Sequence, residues 1–597
     1  MTTRPTRATL LLASALSLTA LASVPARAES TDSQLGAIEK QIHALQAELR
    51  AMKQQAGERD RQLHQAQRER AYIPPATQPM PVMPQIPAGY ALVPAAPGSA
   101  AGSVVLARAE PPPPKLPIGT FRVGAVDVQL GGYLDVSSIY RSRNEVTDIT
   151  SNFNTAIPFR NSQLYHESEF RESARATRLS VTLTAHPDEV TKLQAFVASD
   201  FQGASPTSNS NQSNSFVPRL REAWMTYDRS DLGLEILGGQ TWSLLTMTKV
   251  GTNPTQINLP GGIDAAYVPG FNYTRQPQIR IAKSFANGQF WLAASAENPQ
   301  TAYSNTSVPS SFGTINVSNP GTGTLGNGSN TPVAACTAVA TTIVAGVPTS
   351  TCTTTNVTGT GNFTDDIAPD LIVKATADFD RAHLEAYGLG RVFHDRLSQL
   401  GTGQSNTTFA GGGGAAALVH IIPKLLDAQI SGLVGTGIGR YGASQLPDAT
   451  IGSDGKPAPL HEYTALAGLI VHPTPKVDLY GYIGTEQVQR SYFDAQNKGK
   501  LTAYGYGNPF YSNIGCETEL APSTTPCTAN TSGIVQGTVG AYWKFLKGSF
   551  GTMQVGAQYS YTHRAIFQGD QGVAGAGRTP GTDENIVLVS FRYYPFQ

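Results

Sequence analysis

The side chains best suited to bind a solute are arginines that fall on one face of predicted β-strands. A guanidinium group stays charged and can hold a carboxylate through two parallel hydrogen bonds, so a row of arginines favours anions. The arginines that share the polar face by alternation are Arg178, Arg219, Arg221, Arg280 and Arg391. Three further arginines, at 175, 275 and 440, lie near the ends of the same segments. The pattern indicates an anion-attracting surface.

Acidic residues share these faces, and they leave two interpretations open. The acids are Asp200, Glu222, Glu297 and Glu385. Over all predicted strands, acidic and basic residues nearly cancel, so the basic excess is local to the early strands. Either the arginines meet an anionic solute, or they pair with these acids and stiffen the wall. Both can hold together.

The segment 178–201 shows which element carries these residues. Leu179, Val181 and Leu183 alternate with polar residues, a short turn follows at 186–188, and the alternation resumes at Leu193. A period of two is typical of a β-strand with one apolar face. Each arm has about the ten residues that a tilted strand needs to cross a bilayer.

The hairpin pattern repeats to the end of the chain. The predicted strands are 126–140, 174–186, 190–201, 217–228, 232–243, 273–285, 289–298, 368–379, 382–393, 408–422, 426–441, 459–472, 476–490, 531–546, 550–565 and 584–596. Short turns alternate with long loops rich in Ser, Thr, Asn and Gly, as in barrels with short periplasmic turns and long outer loops. The sequence therefore predicts an all-β protein, a 16-stranded antiparallel transmembrane β-barrel.

The third outer loop, residues 244–272, is rich in Pro and Gly and poor in charge. In barrels of this size, a loop at this position often folds inward and narrows the passage. Asp264 and Tyr267 would then be its polar contributors. The alternative is an outward loop that packs at a subunit interface.

The amino-terminal fifth of the chain divides into three predicted parts before the barrel at 121–597. Arg4 and Arg7 precede an apolar run, which predicts a signal peptide over residues 1–28. Apolar residues at heptad spacing predict a coiled-coil helix over 29–72. Residues 73–120 are rich in proline, which predicts an extended linker without sheet ladders. The alternative for 29–72 is a lone amphipathic helix on the barrel.

Four cysteines fall in two close pairs in loop-like sequence. An exported chain favours the disulfides Cys336–Cys352 and Cys516–Cys527, the alternative being four free thiols. Neither pair has metal-ligand spacing, and the ten histidines are scattered, so we expect no metal and no cofactor. A formal net charge of zero argues against nucleic-acid binding.

Enzyme motifs are weak. Ser405 has a serine-nucleophile-like setting, but no histidine stands beside it in the sequence. The glycines at 411–414 lack the lysine and helix of a phosphate-binding loop. We expect no catalytic activity.

Five local motifs resemble those of the DcaP-like family of trimeric outer-membrane porins. They are RLREA at 219–223, GQTWS at 239–243, RQPQIR at 275–280, ENP at 297–299 and FRYYPF at 591–596. The resemblance implies a homotrimer with a periplasmic coiled coil and passive uptake of small, often anionic, carboxylates. The chain departs from the pattern in ending on Gln597 rather than an aromatic residue, and in its long fourth loop, 299–367.

These features together predict a porin in the outer membrane of a Gram-negative bacterium. It would admit small hydrophilic solutes and favour anions such as dicarboxylates. Expected partners are two further copies of the chain, outer-membrane lipid, lipopolysaccharide and peptidoglycan. Two alternatives stay open: a tether to the cell wall that the barrel only anchors, and a binding protein that uses its fourth loop.

Overall fold

The computed structural model describes most of the barrel and little before it. The described residues are 90–94, 104–108, 118–149, 155–203, 216–304, 308–309, 314–316, 335–344, 347–355, 364–399, 401–497, 499–520, 527–569 and 579–596. The predicted signal peptide and coiled coil lie outside them.

Sixteen long strands form the wall. They are β1 (Val126–Arg141), β2 (Arg178–Ala185), β3 (Thr191–Asp200), β4 (Arg219–Arg229), β5 (Leu234–Trp242), β6 (Arg275–Phe285), β7 (Phe290–Glu297), β8 (Asp370–Phe379), β9 (Ala382–Gln399), β10 (Thr402–Ile422), β11 (Leu426–Thr436), β12 (His461–Thr474), β13 (Val477–Val488), β14 (Thr531–Gly548), β15 (Gly551–Ile566) and β16 (Gly581–Tyr594). Each pairs antiparallel with its neighbours, and β16 pairs with β1. The predicted sixteen-stranded closed barrel is confirmed.

Three short strands join the barrel, and the rest of the described secondary structure lies in connections. The short barrel strands are Thr120–Val123, Glu169–Ser173 and Thr314–Asn316. Separate hairpins pair Ala335–Val344 with Val347–Thr355, Ala449–Ile451 with Pro457–Pro459, and Ser491–Asn497 with Lys500–Tyr506. The 3₁₀ turns are Gln163–His166, Ala265–Tyr267, Ala286–Gly288, Gly439–Tyr441 and Ile514–Glu517. No helix in the described ranges is long and apolar enough to cross a membrane.

The proline-rich segment differs from its prediction. Tyr90–Pro94 pairs antiparallel with Val104–Arg108, so the expectation of a linker without sheet ladders is wrong for these residues. The reason is local, because the run 104–108 contains no proline and is mostly Val, Leu and Ala. The other linker residues through 117 lie outside the described ranges.

The strands β9 and β10 extend further than predicted. Only residues 400 and 401 connect them, where the sequence predicted a loop from 394 to 407. Polar residues pair across this extension, as where the Asn406 side-chain amide donates to the Asp395 carboxylate at 2.8 Å. The glycines 411–414 lie in β10, where close backbone neighbours require Gly414, since a Cβ on it would stand 2.2 Å from the Gly432 carbonyl oxygen of β11.

The two faces of the wall have opposite polarity. On β12, Tyr463 and Leu469 are exposed on the outside, whereas Glu462 and Thr464 are buried on the inside. An apolar exterior on a closed sheet suits lipid, because closure leaves no unpaired backbone edge.

A charge on this exterior should destabilise the barrel according to its depth. Leu469→Lys, near the middle of β12, is expected to lower the free energy of unfolding by about 2–4 kcal/mol. Tyr463→Lys, near the strand end, is the matched control, with an expected loss of about 0–1 kcal/mol. Reversible urea unfolding in phospholipid vesicles measures both, and equal losses would contradict the assignment of this face to lipid.

Candidate functional site

The connection between β5 and β6, residues 243–274, lies inside the barrel. Its first half packs on the wall formed by β7 to β9. The Leu244 N–H donates to the Glu297 carboxylate at 2.8 Å, and the Thr248 N–H donates to the Glu385 carboxylate at 2.8 Å. Leu244, Leu245 and Met247 join a buried cluster with side chains of these strands. This half of the connection is therefore held against the inner face of the wall.

The second half of the connection reaches the opposite wall. The Gly261 N–H donates to the Tyr482 hydroxyl of β13 at 2.7 Å, and the Ile263 N–H donates to the Gln558 side chain of β15 at 2.9 Å. The Gly270 N–H donates to the Glu486 carboxylate of β13 at 2.9 Å. Since β13 stands across the barrel from β5 and β6, the connection spans the lumen. We call residues 243–274 the crossing loop.

Four of the residues that the sequence placed in the passage are enclosed, and the crossing loop covers three of them, Arg280, Glu297 and Glu385. Arg280 and Arg391 are each 2% exposed, Glu297 is 0% exposed and Glu385 is 4% exposed. All four point inward, as the alternation predicts, but their partners are protein groups. Arg280 donates to the carbonyl oxygens of Trp242 and Thr252, and Glu385 pairs with the Lys374 ammonium at 2.9 Å.

Arg391 belongs to a second buried network, which residues 437–448 between β11 and β12 cover. Its guanidinium lies 2.8 Å from the Asp448 carboxylate and 3.2 Å from the Asp370 carboxylate. The Tyr441 hydroxyl donates to Asp370 at 2.8 Å. A solute cannot reach a group enclosed in this way, so Arg391 and Arg280 stabilise the wall and the loop rather than line a passage.

Asp200 joins two of the predicted arginines. Arg219 holds it with two hydrogen bonds, at 2.9 and 3.0 Å, and Arg221 donates a third at 2.8 Å. A β-bulge lies here, because Ser199 pairs with Leu220 while Ala198 pairs with Glu222. The extra residue lets both Arg221 and Glu222 face inward. These two arginines therefore offer a solute little unpaired charge.

Arg178 and Arg275 are different, because no carboxylate oxygen of the described residues lies within 4.0 Å of either guanidinium. Both side chains are half-buried. The Arg178 guanidinium lies 5.4 Å from the Tyr133 ring centre, and that of Arg275 lies 4.6 Å from the Trp242 ring centre. Arg178 Nε and Arg275 Nη1 are buried atoms without a hydrogen-bond partner in the described structure. These two arginines are thus not held by a carboxylate, in contrast to Arg219 and Arg221.

We call Arg178, Arg219, Arg221, Arg275 and Arg592 the arginine wall, and the crossing loop presents Asp264 to it. Asp264 is half-buried, and its carboxylate accepts the Ala266 N–H at 2.9 Å, which caps the turn Ala265–Tyr267. It lies within electrostatic range of Arg178, Arg221 and Arg592. Burial raises the pKa of the Asp264 carboxyl, against smaller opposing effects of the Ala266 N–H and these arginines.

Tyr267, the other residue predicted for the constriction, does not face the passage. It is 0% exposed, and its hydroxyl accepts a hydrogen bond from Arg141 of β1. It therefore fastens the crossing loop to the wall. Arg592 does the same from β16, because it pairs with Asp135 at 2.6 Å and donates to the Ile263 carbonyl oxygen.

Sequence reasoning missed Arg592, Tyr133 and Trp242 and placed Arg275 only near a loop end. Arg592 on β16 and Tyr133 on β1 lie at inward positions. Following the inward–outward alternation along these two strands would have found them. No pattern in the sequence shows that Arg275 lacks an acidic partner.

Cys516 and Cys527 form a disulfide in the described structure. The side chains of Cys336 and Cys352 lie outside the described part, so their disulfide stays a prediction. Within the described ranges, no three His, Cys, Asp or Glu side chains converge as a metal site.

A closed sheet, an apolar exterior and a polar lumen that an inward loop narrows are together typical of outer-membrane channel barrels. This architecture places the chain in the outer membrane of a Gram-negative bacterium, as the sequence predicted.

Comparison with known proteins agrees with this class at the level of the fold. No family model and no curated protein sequence matches the chain. The DcaP outer membrane channel of Acinetobacter baumannii is similar in structure, with a TM-score of 0.51, 15% identity, and coverage of 80% of this chain and 100% of that chain. The predicted resemblance to the DcaP-like family is thus confirmed for the fold.

Two other solved structures are more distantly similar. The anion-selective porin from Comamonas acidovorans gives a TM-score of 0.39 at 10% identity over 79% of this chain and 99% of that chain. OmpT, an outer membrane protein of Vibrio cholerae, gives 0.37 at 10% identity over 80% of this chain and 99% of that chain.

Proposed function

We propose that the chain is a porin through which small hydrophilic solutes diffuse passively, with a preference for anions such as dicarboxylates. The observation that carries the proposal is the pair Arg178 and Arg275, half-buried beside the crossing loop without a carboxylate partner among the described residues. A narrow passage with uncompensated guanidinium groups raises the local concentration of anions.

The balance of charge around the passage supports the direction of this preference. Five arginines belong to this region, namely Arg178, Arg219, Arg221, Arg275 and Arg592. Four acids stand with them: Asp135, Asp200, Glu222 and Asp264. Within this group the arginines exceed the acids by one, and Asp135 and Asp200 are already held by guanidinium groups, so this part of the wall favours anions.

The working assembly is a homotrimer in a lipid and lipopolysaccharide membrane. Support comes from the DcaP-like fold together with the heptad pattern of residues 29–72, which suits association of several chains. Contact of that segment with peptidoglycan is a further part of the proposal.

Liposome swelling tests the function. Vesicles containing the purified oligomer should swell fastest in a small dicarboxylate, more slowly in a neutral polyol of similar size, and slowest in a diamine. Equal swelling rates for all three solutes would show a porin without an anion preference. No swelling in any of them, together with no conductance in planar bilayers, would exclude a porin.

Asp264 should make this preference depend on pH. Because burial raises the pKa of its carboxyl, falling pH neutralises Asp264 earlier than an ordinary carboxylate, and the arginine wall then dominates. The ratio of chloride to potassium permeability is expected to rise as pH falls through this raised pKa. Asp264→Asn should show the higher ratio already at neutral pH and lose this part of the pH response.

Asparagine caps a helical turn about as well as aspartate, so Asp264→Asn keeps the local fold of the crossing loop. Reversal potentials measured from neutral to mildly acidic pH compare the two proteins. An identical pH response in both would show that Asp264 does not set the charge of the passage.

A further inference from the structure

A row of charged side chains crosses five neighbouring strands at the end of the barrel opposite the arginine wall. The row consists of His420 on β10, Asp427 on β11, His472 on β12, Asp478 on β13 and Lys544 on β14. We call these five residues the His–Asp row. Each stands beside a short connection, at 423–425, 475–476 or 549–550. Short connections are the periplasmic ones in barrels of this class, so the row lies at the periplasmic mouth.

The members of the row are joined in sequence by ion-pair contacts. His420 Nδ1 lies 2.6 Å from Asp427, and His472 Nε2 lies 3.4 Å from the other oxygen of Asp427. His472 Nδ1 lies 2.7 Å from Asp478, whose second oxygen lies 2.6 Å from the Lys544 ammonium. The two carboxylates thus alternate with the three basic groups.

The row faces the lumen and remains open to it. His420 follows the inward positions Ala416 and Leu418, and Asp427 precedes the inward Gln429. Side-chain exposure is 44% for His420 and 32% for His472, so both imidazoles are accessible to protons. Among the described residues, no hydrogen bond or ion pair joins the crossing loop to this row.

We propose that the His–Asp row is a pH-controlled charge filter at the periplasmic mouth, separate from the arginine wall. With both imidazoles neutral, two carboxylates outweigh one ammonium and the row carries one net negative charge. With both protonated it carries one net positive charge. Histidine is the side chain that ordinarily changes charge between about pH 5 and 8.

The groups around the row add fixed charges to it. His420 lies between Asp427 of β11 and the backbone of Arg381 before β9. His472 lies between Asp427 and Asp478, and Lys544 stands beyond Asp478. The nearby turn residues Arg381, Lys424 and Lys476 are cationic, so the local charge around the mouth is positive in both states of the row. Protonation of the two imidazoles makes this charge two units more positive, and the attraction for anions therefore follows the periplasmic pH.

This inference rests on the proposed channel function and predicts a sided effect. In a planar bilayer with channels of one orientation, acidifying only the periplasmic compartment should raise the ratio of chloride to potassium permeability roughly twofold, since the local charge changes by two units at a screened distance. The Asp264→Asn background removes the other titrating group from the measurement.

The double variant His420→Gln/His472→Gln should lose the response to periplasmic pH. The matched control is His166→Gln/His461→Gln, which alters two exposed histidines at the outer end and should keep the full response. Lys544→Met should lower the ratio at every pH without removing the response, which separates a charge effect from a change in folding.

The outcomes separate this inference from the proposed function. Absence of current at any pH would exclude the channel itself. Two results would contradict the filter and leave the porin proposal standing. One is a current whose ion preference does not depend on periplasmic pH, and the other is a pH response that persists unchanged in the His420→Gln/His472→Gln variant.

Discussion

Replacing both Arg178 and Arg275 with Gln is expected to lower the ratio of chloride to potassium permeability several-fold. These two guanidinium groups have no carboxylate partner within 4.0 Å among the described residues. Removing each positive charge therefore lowers the electrostatic potential that attracts anions into the passage. Glutamine keeps a polar side chain of intermediate length. The reversal potential in an asymmetric KCl gradient measures the change.

The neighbouring pair Arg219 and Arg221 would give a less interpretable result. Both hold Asp200, which is 1% exposed, and their removal would leave a buried carboxylate without a cation. Loss of one partner from a buried ion pair typically costs about 3–5 kcal/mol. A change in ion selectivity in that variant could therefore not be divided between the loss of positive charge and the disturbance of the barrel wall.

A matched control for the first variant is Arg396→Gln/Arg490→Gln. Both residues are exposed near the outer ends of β9 and β13, and neither has an ion pair in the described structure, so the net charge falls equally but away from the arginine wall. The control should keep the wild-type reversal potential. If it changed the reversal potential as much as Arg178→Gln/Arg275→Gln, overall charge rather than the arginine wall would set the preference.

Gly484→Val is expected to raise single-channel conductance and lower ion preference, because it displaces the crossing loop. A Cβ on Gly484 would stand 1.9 Å from the Pro269 carbonyl oxygen, closer than any real contact. Gly484 lies on β13 with ordinary backbone angles, so the strand tolerates a side chain and the loop must move. Movement would pull Gly270 from Glu486 and widen the passage beside Asp264.

Gly481→Val on the same strand is the control for Gly484→Val. The nearest atom to a Cβ there is 3.8 Å away, an ordinary contact, so conductance should stay unchanged. Gly484→Ala should shift conductance in the same direction as Gly484→Val by a smaller amount. A folded Gly484→Val oligomer with wild-type conductance would show that the loop does not limit the passage.

The architecture could be predicted from the sequence because strand alternation is a strong local signal. Lipid on one side and water on the other force a period of two onto every strand, and the sixteen strands follow from it. The inward direction of Arg178, Arg280, Glu297 and Glu385 follows for the same reason. Strand ends were less predictable, as in β9 and β10, where polar residues continue the ladder beyond the predicted boundary.

The accessibility of these inward residues could not be predicted in the same way. Whether Arg280 or Arg178 meets a solute depends on where the crossing loop packs, and that is set by distant contacts such as Gly261 with Tyr482. The loop covers Arg280, Glu297 and Glu385 and leaves Arg178 half-buried. Pairing is equally non-local, because Asp200 meets Arg221 only through a bulge that the residue pattern does not show.

The sign of the reversal potential of the wild-type oligomer tests the central claim most directly. In a planar bilayer with unequal KCl concentrations at neutral pH, a passage lined by Arg178 and Arg275 should give a potential of the sign that marks chloride as the more permeant ion. A stable open channel whose reversal potential has the opposite sign would contradict an anion-preferring porin.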